Sequence, residues 1–121
     1  MKYTELLQIA DFLRDCAKIH SITRVDDNAL CVSFDKISLI FDMNRAKSAI
    51  YAPNGAQNHK SYAAPFDIAL KKFFHSASVR EIAVLENNRI LLIKTRLDKS
   101  YKAFESSIFF EFTGKIGRAH V

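Results

Sequence analysis

The sequence predicts an α+β fold, in which an antiparallel sheet forms a sandwich or a partly open barrel and two helices complete it. Only two stretches repeat their apolar residues with the helical period, whereas seven short stretches alternate apolar and polar residues with a period of two. The chain of 121 residues is 49% hydrophobic and contains ten Phe. That is enough for one domain built around one core.

The most informative stretch runs from residue 65 to residue 93 and predicts a helix, a strand, a turn and a second strand. Pro65 suits the first helical position because its missing N–H would have no partner there. The apolar residues that follow recur at i, i+3, i+4, i+7 and i+8, which places on one helical stripe Phe66, Ala69, Leu70, Phe73 and Phe74. Beyond Ser76 the period becomes two, and residues 90–93 (ILLI) predict a buried strand.

Before this unit, the sequence predicts a first helix of about four turns and then an antiparallel meander of four strands. The apolar stripe of the helix comprises Tyr3, Leu6, Leu7, Ala10, Leu13 and Ala17. The strands are expected near residues 19–25, 30–34, 37–42 and 48–51, and residues 52–63 form a polar surface loop. After the central unit, residues 94–106 predict a charged connector and residues 108–112 a final strand.

The charge pattern is compatible with a nucleic-acid partner. The net charge is +5, and the isoelectric point is about 9.3. Cations that would contact a phosphate backbone cluster around the central unit: Lys71, Lys72, Arg80, Arg89, Lys94, Arg96, Lys99 and Lys102. Four carboxylates lie among them, so a solvated face of mixed charge is the alternative. Tyr62 and Tyr101 are placed to stack on bases, but we expect both to be half-buried loop anchors.

Other functional classes have little support in the residues. The chain has no nucleophile motif, no paired carboxylates and no glycine-rich phosphate loop, so we expect neither an enzyme nor a bound cofactor or small-molecule substrate. Cys16 and His20 do not reach the ligand count of a metal site, and Cys16 and Cys31 are expected to be reduced and buried. Charged residues in the first helix exclude a signal peptide, and no apolar run spans a membrane. We therefore expect a cytoplasmic protein without a membrane partner.

The last six residues, 116–121 (IGRAHV), require separate treatment. They can be reverse-translated as ATC GGA AGA GCA CAC GTC, which is one frame of a common sequencing adapter. We therefore expect the native domain to occupy residues 1–115 and to belong to a longer protein, with 116–121 as an artefact. A natural C-terminus is the alternative.

The ordered set of segments resembles the N-terminal domain of the NFACT family, bacterial ribosome-associated quality-control factors formerly described as fibronectin-binding proteins. The resemblance covers residues 3–115. It is carried by KIHSITRVDDNALCVSF, ALKKFF, SVREIAVLENNRILLI and FFEFTGK. The family shows Leu-Arg-Lys, Asp-Arg-Ile and Glu-Leu-hydrophobic-Gly-Arg, where this chain has Leu70-Lys71-Lys72, Asn88-Arg89-Ile90 and Glu111-Phe112-Thr113-Gly114-Lys115.

The resemblance implies a module that binds the large ribosomal subunit carrying stalled peptidyl-tRNA and supports tRNA-dependent alanine tailing. It assigns RNA contact to Arg89 and, with Asn in place of the family's Asp, to Asn88. The alternative is that residues 87–88 form an ordinary hairpin turn and that Arg89 is a solvated residue at the start of a strand. The family's domain is similar to that of formamidopyrimidine-type DNA glycosylases, whose Pro nucleophile follows the initiator Met. Lys2 and Tyr3 stand there in this chain, so that chemistry is not expected.

Two other functions remain open at this point. One is a surface adhesin that binds fibronectin, as the older family name implies. The other is a scaffold domain without a ligand of its own, in a protein whose other domains contact RNA. The predicted RNA-binding residues are therefore Arg89, Asn88, Arg80, Lys71, Lys72, Lys94 and Arg96, and the predicted partners are the large ribosomal subunit and tRNA.

Overall fold

A computed structural model describes residues 1–44, 47–53, 62–85, 89–99 and 101–112, together with the backbone of 119–120. Two helices and eight strands lie in these ranges, in the order α1 (Tyr3–Leu13), β1 (Lys18–Asp26), β2 (Ala29–Phe34), β3 (Ser38–Asp42), β4 (Ala49–Tyr51), α2 (Pro65–Phe73), β5 (Ala77–Leu85), β6 (Ile90–Lys99), β7 (Lys102–Glu111) and β8 (Ala119–His120). The strands form one antiparallel sheet with the order β4-β3-β2-β1-β5-β6-β7-β8.

The sheet folds back on itself at a narrow seam between β1 and β5. Only two residue pairs join these strands, Lys18 with Ser78 and Ile19 with Ala77. The ring of Phe41 in β3 nevertheless lies 4.5 Å from the ring of Phe110 in β7, although four strands separate β3 and β7 in the sheet order. The two halves of the sheet therefore face each other across one core without closing, which confirms the predicted sandwich or partly open barrel.

The core lies between these two halves and is closed by one face of each helix. Alternate residues of β2 supply its first side, with Leu30, Val32 and Phe34 almost fully buried, as their period of two predicts. Ile93, Ile108 and Phe110 supply the opposite side, and Leu70 and Phe74 cover it from α2. The predicted helical stripe of α2 is thus confirmed.

The first helix fills the gap that the narrow seam leaves in the sheet. Leu6, Ala10 and Leu13 of α1 are completely buried, and the helix packs against β5. Arg14, which follows the helix, donates from Nε to the carbonyl oxygen of Ile82 at 3.1 Å. An edge carbonyl of β5 is therefore satisfied by a side chain where no strand of the described chain pairs with it.

The first helix is shorter than predicted. It ends at Leu13, after about three turns, and Ala17 is exposed instead of continuing the apolar stripe. The carboxylate of Asp35 accepts the backbone N–H of Ala17 at 3.1 Å and that of Lys18 at 3.4 Å. These bonds hold the entry to β1, so a residue far along the sequence fixes the segment that follows the helix.

The predicted charged connector is wrong, because residues 94–99 and 102–106 belong to two long paired strands. β6 and β7 form a hairpin of ten paired positions, from Ile90 opposite Glu111 to Lys99 opposite Lys102. Thr95 and Leu97 point into the core while Lys94 lies outside. The charges that indicated a connector are the outer face of a half-buried strand.

Candidate nucleic-acid interface

Two of the predicted RNA-binding cations lie on the outer face of β6 and are ion-paired. Lys94 Nζ lies 3.3 Å from Glu81 Oε2 on β5. Arg96 Nε lies 3.2 Å from Asp98 Oδ1, and its Nη1 lies 3.9 Å from Glu105 Oε1 on β7. All of these side chains are substantially exposed, so each pair adds little stability. The pairs nevertheless neutralise these two cations, and the alternative of a mixed-charge face describes this part of the sheet.

Arg80 lies on β5, next to Glu81 in sequence, where β5 meets the segment that follows α1. It is exposed and lines an open pocket of about 350 Å³ together with Arg14, Cys16, Val79, Glu81 and Ile82. Arg14 is held there by Asp11, whose Oδ1 accepts from Nη1 at 3.0 Å. Burial of Cys16 raises the pKa of its thiol, which disfavours the thiolate form of this residue at neutral pH.

Arg89 occupies a constrained position at the start of β6. Its φ of 47° is left-handed, a conformation that costs a residue with a Cβ about 1–2 kcal/mol. Its Nη1 donates to the carbonyl oxygen of Met1 at 3.3 Å, and its own carbonyl accepts the N–H of Phe112 at 2.9 Å. Arg89 is half-buried, so the alternative of a solvated residue at the start of a strand describes it only in part. Asn88 lies outside the described residues.

Lys71 and Lys72 are exposed near the end of α2, beside the far end of the β6–β7 hairpin. Lys99 Nζ donates to the carbonyl oxygen of Lys72 at 3.3 Å. Lys99 also lies directly opposite Lys102, and Tyr101 between them is fully exposed, with a relative accessibility of 101%. The expectation of a half-buried anchor is therefore wrong for Tyr101. We call these five residues the lysine tip: Lys71, Lys72, Lys99, Tyr101 and Lys102.

The predicted site residues do not form one continuous surface. Arg89 precedes β6 and Lys99 ends it, ten residues further along an extended strand. At about 3.3 Å per residue, these two positions are separated by about 33 Å. The sequence indicated Lys99 and Lys102 among the clustered cations and Tyr101 as placed to stack on bases, but the predicted RNA-binding residues did not include these three. The signal was the run of two lysines and a tyrosine at residues 99–102, which the predicted connector obscured.

A polar network that sequence reasoning missed lies at the start of α2. Arg24 on β1 donates from Nε and Nη2 to the two carboxylate oxygens of Asp67, at 3.0 and 2.6 Å. The guanidinium carbon lies 4.2 Å from the ring centre of Tyr62, whose hydroxyl donates to Asp27 at 3.0 Å. Burial is the main cause that raises the pKa of the Tyr62 hydroxyl, and the hydrogen bond to Asp27 raises it further.

The same network anchors the helix. Asp67 is 8% exposed and its Oδ2 also accepts the N–H of Ala64, at 3.0 Å, just before the first turn of α2. A neighbouring cavity of about 170 Å³ is lined by Arg24, Asp27, Asn28, Ala29, Leu30, Met43 and Phe66. Asp67 and the ring of Tyr62 already contact the guanidinium of Arg24. We therefore interpret the network as stabilising the packing of α2 on β1, and not as a binding site.

Two further features bear on the functional classes. Cys16 and Cys31 are free thiols, as expected, with Cys16 buried and Cys31 half-buried. Among the described residues, no three His, Cys, Asp or Glu side chains gather into a group that could hold a metal ion. Neither α1 nor α2, the two helices in the described ranges, is long and apolar enough to cross a membrane.

Comparison with solved structures shows a shared fold. The N-terminal domain of the fibronectin-binding protein PavA from Streptococcus pneumoniae superposes with a TM-score of 0.81 at 18% identity, over 96% of this chain and 47% of that one. The N-terminal part of the fibronectin/fibrinogen-binding protein from Streptococcus suis gives 0.78 at 17% identity, over 93% and 45%. The fibrinogen binding protein from Staphylococcus aureus gives 0.71 at 12% identity, over 93% and 42%.

This chain shares the fold of these three structures. It spans less than half the length of the solved chains it matches. No protein-family model matches the sequence, and no curated protein matches it significantly.

Proposed function

We propose that the chain is the N-terminal module of an NFACT-type ribosome-associated quality-control factor. It binds the large ribosomal subunit carrying stalled peptidyl-tRNA, acts in the cytoplasm and supports alanine tailing by binding rather than by catalysis. The observation that carries this proposal is the constrained guanidinium of Arg89, at the position where the resembled family has its functional Asp-Arg pair. The shared fold with N-terminal domains over 96% of the chain supports that alignment of elements.

The geometry of Arg89 suits phosphate recognition. A guanidinium offers five N–H donors in a rigid plane that matches the oxygens of a phosphate. The left-handed backbone and the bond to the Met1 carbonyl limit the positions that this side chain samples. A pre-ordered cation loses less entropy when it binds, and a strained backbone at a polar turn is typical of a functional position.

The test is co-sedimentation of the protein with large ribosomal subunits at increasing salt concentration. Arg89→Gln should weaken binding, whereas Arg96→Gln, which removes the same charge from an ion-paired position on β6, should leave it close to that of the unmodified protein. Circular dichroism checks that both variants are folded. Binding that is absent, that does not weaken with salt, or that both substitutions change equally would contradict the proposal.

A second candidate rests on the names of the structural neighbours. Two of them are fibronectin-binding proteins and the third is a fibrinogen binding protein. If this chain shares that property, it should bind immobilised fibronectin saturably in surface plasmon resonance, and protease added to intact cells should degrade it. Protection from protease in intact cells would exclude the adhesin role.

A scaffold role is the third candidate, and charge reversal separates it from the first. If Arg89, Lys71 and Lys72 are all replaced by Glu and ribosome binding is unchanged, this domain holds other domains in place and makes no RNA contact of its own. A loss of binding in a folded variant excludes the scaffold role.

A further inference from the structure

We infer that the lysine tip is a second RNA contact, which binds a single-stranded segment by stacking a base on Tyr101 and holding the flanking phosphates with the four lysines. This inference rests on the proposed function only in taking RNA as the partner. The lysine tip lies about 33 Å along β6 from Arg89, so it is a separate surface.

The charges of the lysine tip differ from those elsewhere on the same hairpin. Lys94 and Arg96 have carboxylate partners on β5, β6 and β7. In the part of the chain that the structure describes, none of the four lysines of the tip forms an ion pair. Lys99 and Lys102 even lie directly opposite each other, and like charges in that register destabilise a hairpin. A bound phosphate backbone would relieve this repulsion.

Tyr101 supports nucleic acid over other polyanions. A fully exposed aromatic ring contributes nothing to the core. Packing of the folded chain therefore does not explain why a tyrosine lies between these two lysines. Base stacking on an aromatic face, with cations along the backbone, is how proteins bind single strands without reading sequence. An acidic peptide would use the lysines but would gain little from the ring.

The lysine tip is also held as one surface rather than as separate flexible side chains. Lys99 Nζ donates to the Lys72 carbonyl, which joins the hairpin to the end of α2. Behind this contact the rings of Phe73 and Phe104 meet edge to face, with centroids 5.8 Å apart. The helix dipole explains why Lys71 and Lys72 are favourable at the end of α2, but it explains neither Lys102 nor the exposed Tyr101.

The experiment measures anisotropy of a fluorescein-labelled twelve-nucleotide oligouridine with the full chain. Replacing Lys99 and Lys102 by Gln should weaken binding roughly tenfold and lower the slope of log affinity against log salt by about 1.4, since each single-strand phosphate contact contributes about 0.7. The matched control replaces Lys94 and Arg96 by Gln, removing the same charge from the same hairpin. It should change the affinity less than twofold.

A second pair of variants separates stacking from charge. Tyr101→Ala should weaken oligouridine binding by about 5-fold to 150-fold, whereas Tyr101→Phe, which keeps the ring, should bind like the unmodified protein. All of these positions are exposed, and a thermal melt confirms folding. Equal weakening by the matched control, no effect of Tyr101→Ala, or equal competition by an oligoglutamate of the same charge would overturn the inference.

The outcome is independent of the test of the proposed function. If ribosome co-sedimentation depends on Arg89 while the tip variants bind oligouridine normally, the lysine tip inference fails and the proposed function stands. If the tip variants lose oligouridine binding while the protein does not co-sediment with ribosomes, the second contact is supported and the ribosomal role fails.

Discussion

Replacing Arg24 by Met should destabilise the protein strongly, because it leaves the carboxylate of Asp67 buried without its cation. Asp67 is the one charged side chain that is buried among the described residues, and Arg24 binds both of its oxygens. Breaking a buried ion pair from one side costs about 3–5 kcal/mol. The side chain of Arg24 is 22% exposed and the Ala64 N–H still binds Asp67, so we expect a loss just below that range, about 2–3 kcal/mol.

Urea unfolding followed by circular dichroism measures this loss. A domain of this size loses about 4 °C of melting temperature per kcal/mol, so the thermal midpoint should fall by about 8–12 °C. The matched control is Arg96→Met, which breaks exposed pairs and should cost less than about 1 kcal/mol. Because Arg24 also lies on the ring of Tyr62, the single variant Tyr62→Ala measures the part of the loss that comes from that stacking.

A double-mutant cycle assigns the remainder to the ion pair. Replacing Asp67 by Leu in the Arg24→Met background removes the unpaired charge, and well-packed apolar residues often replace a buried pair at little cost. The double variant should therefore be more stable than Arg24→Met alone. If Arg24→Met costs no more than Arg96→Met, or if the two changes at Arg24 and Asp67 are simply additive, the network does not secure α2 as described.

Three further predictions concern the core, an acidic turn and the thiols. Phe41→Ala should cost about 3–5 kcal/mol in urea unfolding, because the buried ring joins the two sheet halves through Phe110; a loss below 1 kcal/mol would refute this closure. Burial acts to raise the pKa of Asp35, but backbone N–H donors outweigh it and lower that pKa below its ordinary 3.8. The resulting stability is therefore present above about pH 3.8 and lost as pH falls through the folded-state value, and Asp35→Asn should flatten this acid dependence. Burial raises the thiol pKa of Cys16 and Cys31, so iodoacetamide at pH 8 should label both thiols faster after the protein is unfolded. Labelling rates that are equal in the folded and the unfolded protein would contradict this prediction.

Much of the local structure could be predicted because its causes are local. The period of Leu30, Val32 and Phe34 reports one buried face of a strand, whatever that strand pairs with. Pro65 and the stripe that ends at Phe74 likewise describe a helix whose exposed and buried faces depend on 3.6 residues per turn. The fold class follows from counting such stretches, so the predicted α+β sandwich or partly open barrel was confirmed.

The same reasoning failed where an element depends on residues distant in sequence. The segment between α1 and β1 is held by the carboxylate of Asp35, which is eighteen residues from Ala17, whose N–H it accepts. The strand character of residues 94–99 depends on β5 and β7, which give Lys94 and Arg96 their neighbours and bury Leu97. A charged strand and a charged connector have the same composition, and only the pairing distinguishes them.

The sequence by itself determined that the chain is a basic single domain with one core, and it indicated which cations were candidates for phosphate contact. Only the tertiary structure decided which of those cations are paired with carboxylates and which lie at either end of β6. Lys94 and Arg96 meet carboxylates from adjacent strands, Arg89 is held at one end of β6, and Lys99 approaches Lys72 at the other. The physical reason is that an ion pair or a shared surface depends on distance in space, which sheet order sets and which spacing along the chain does not.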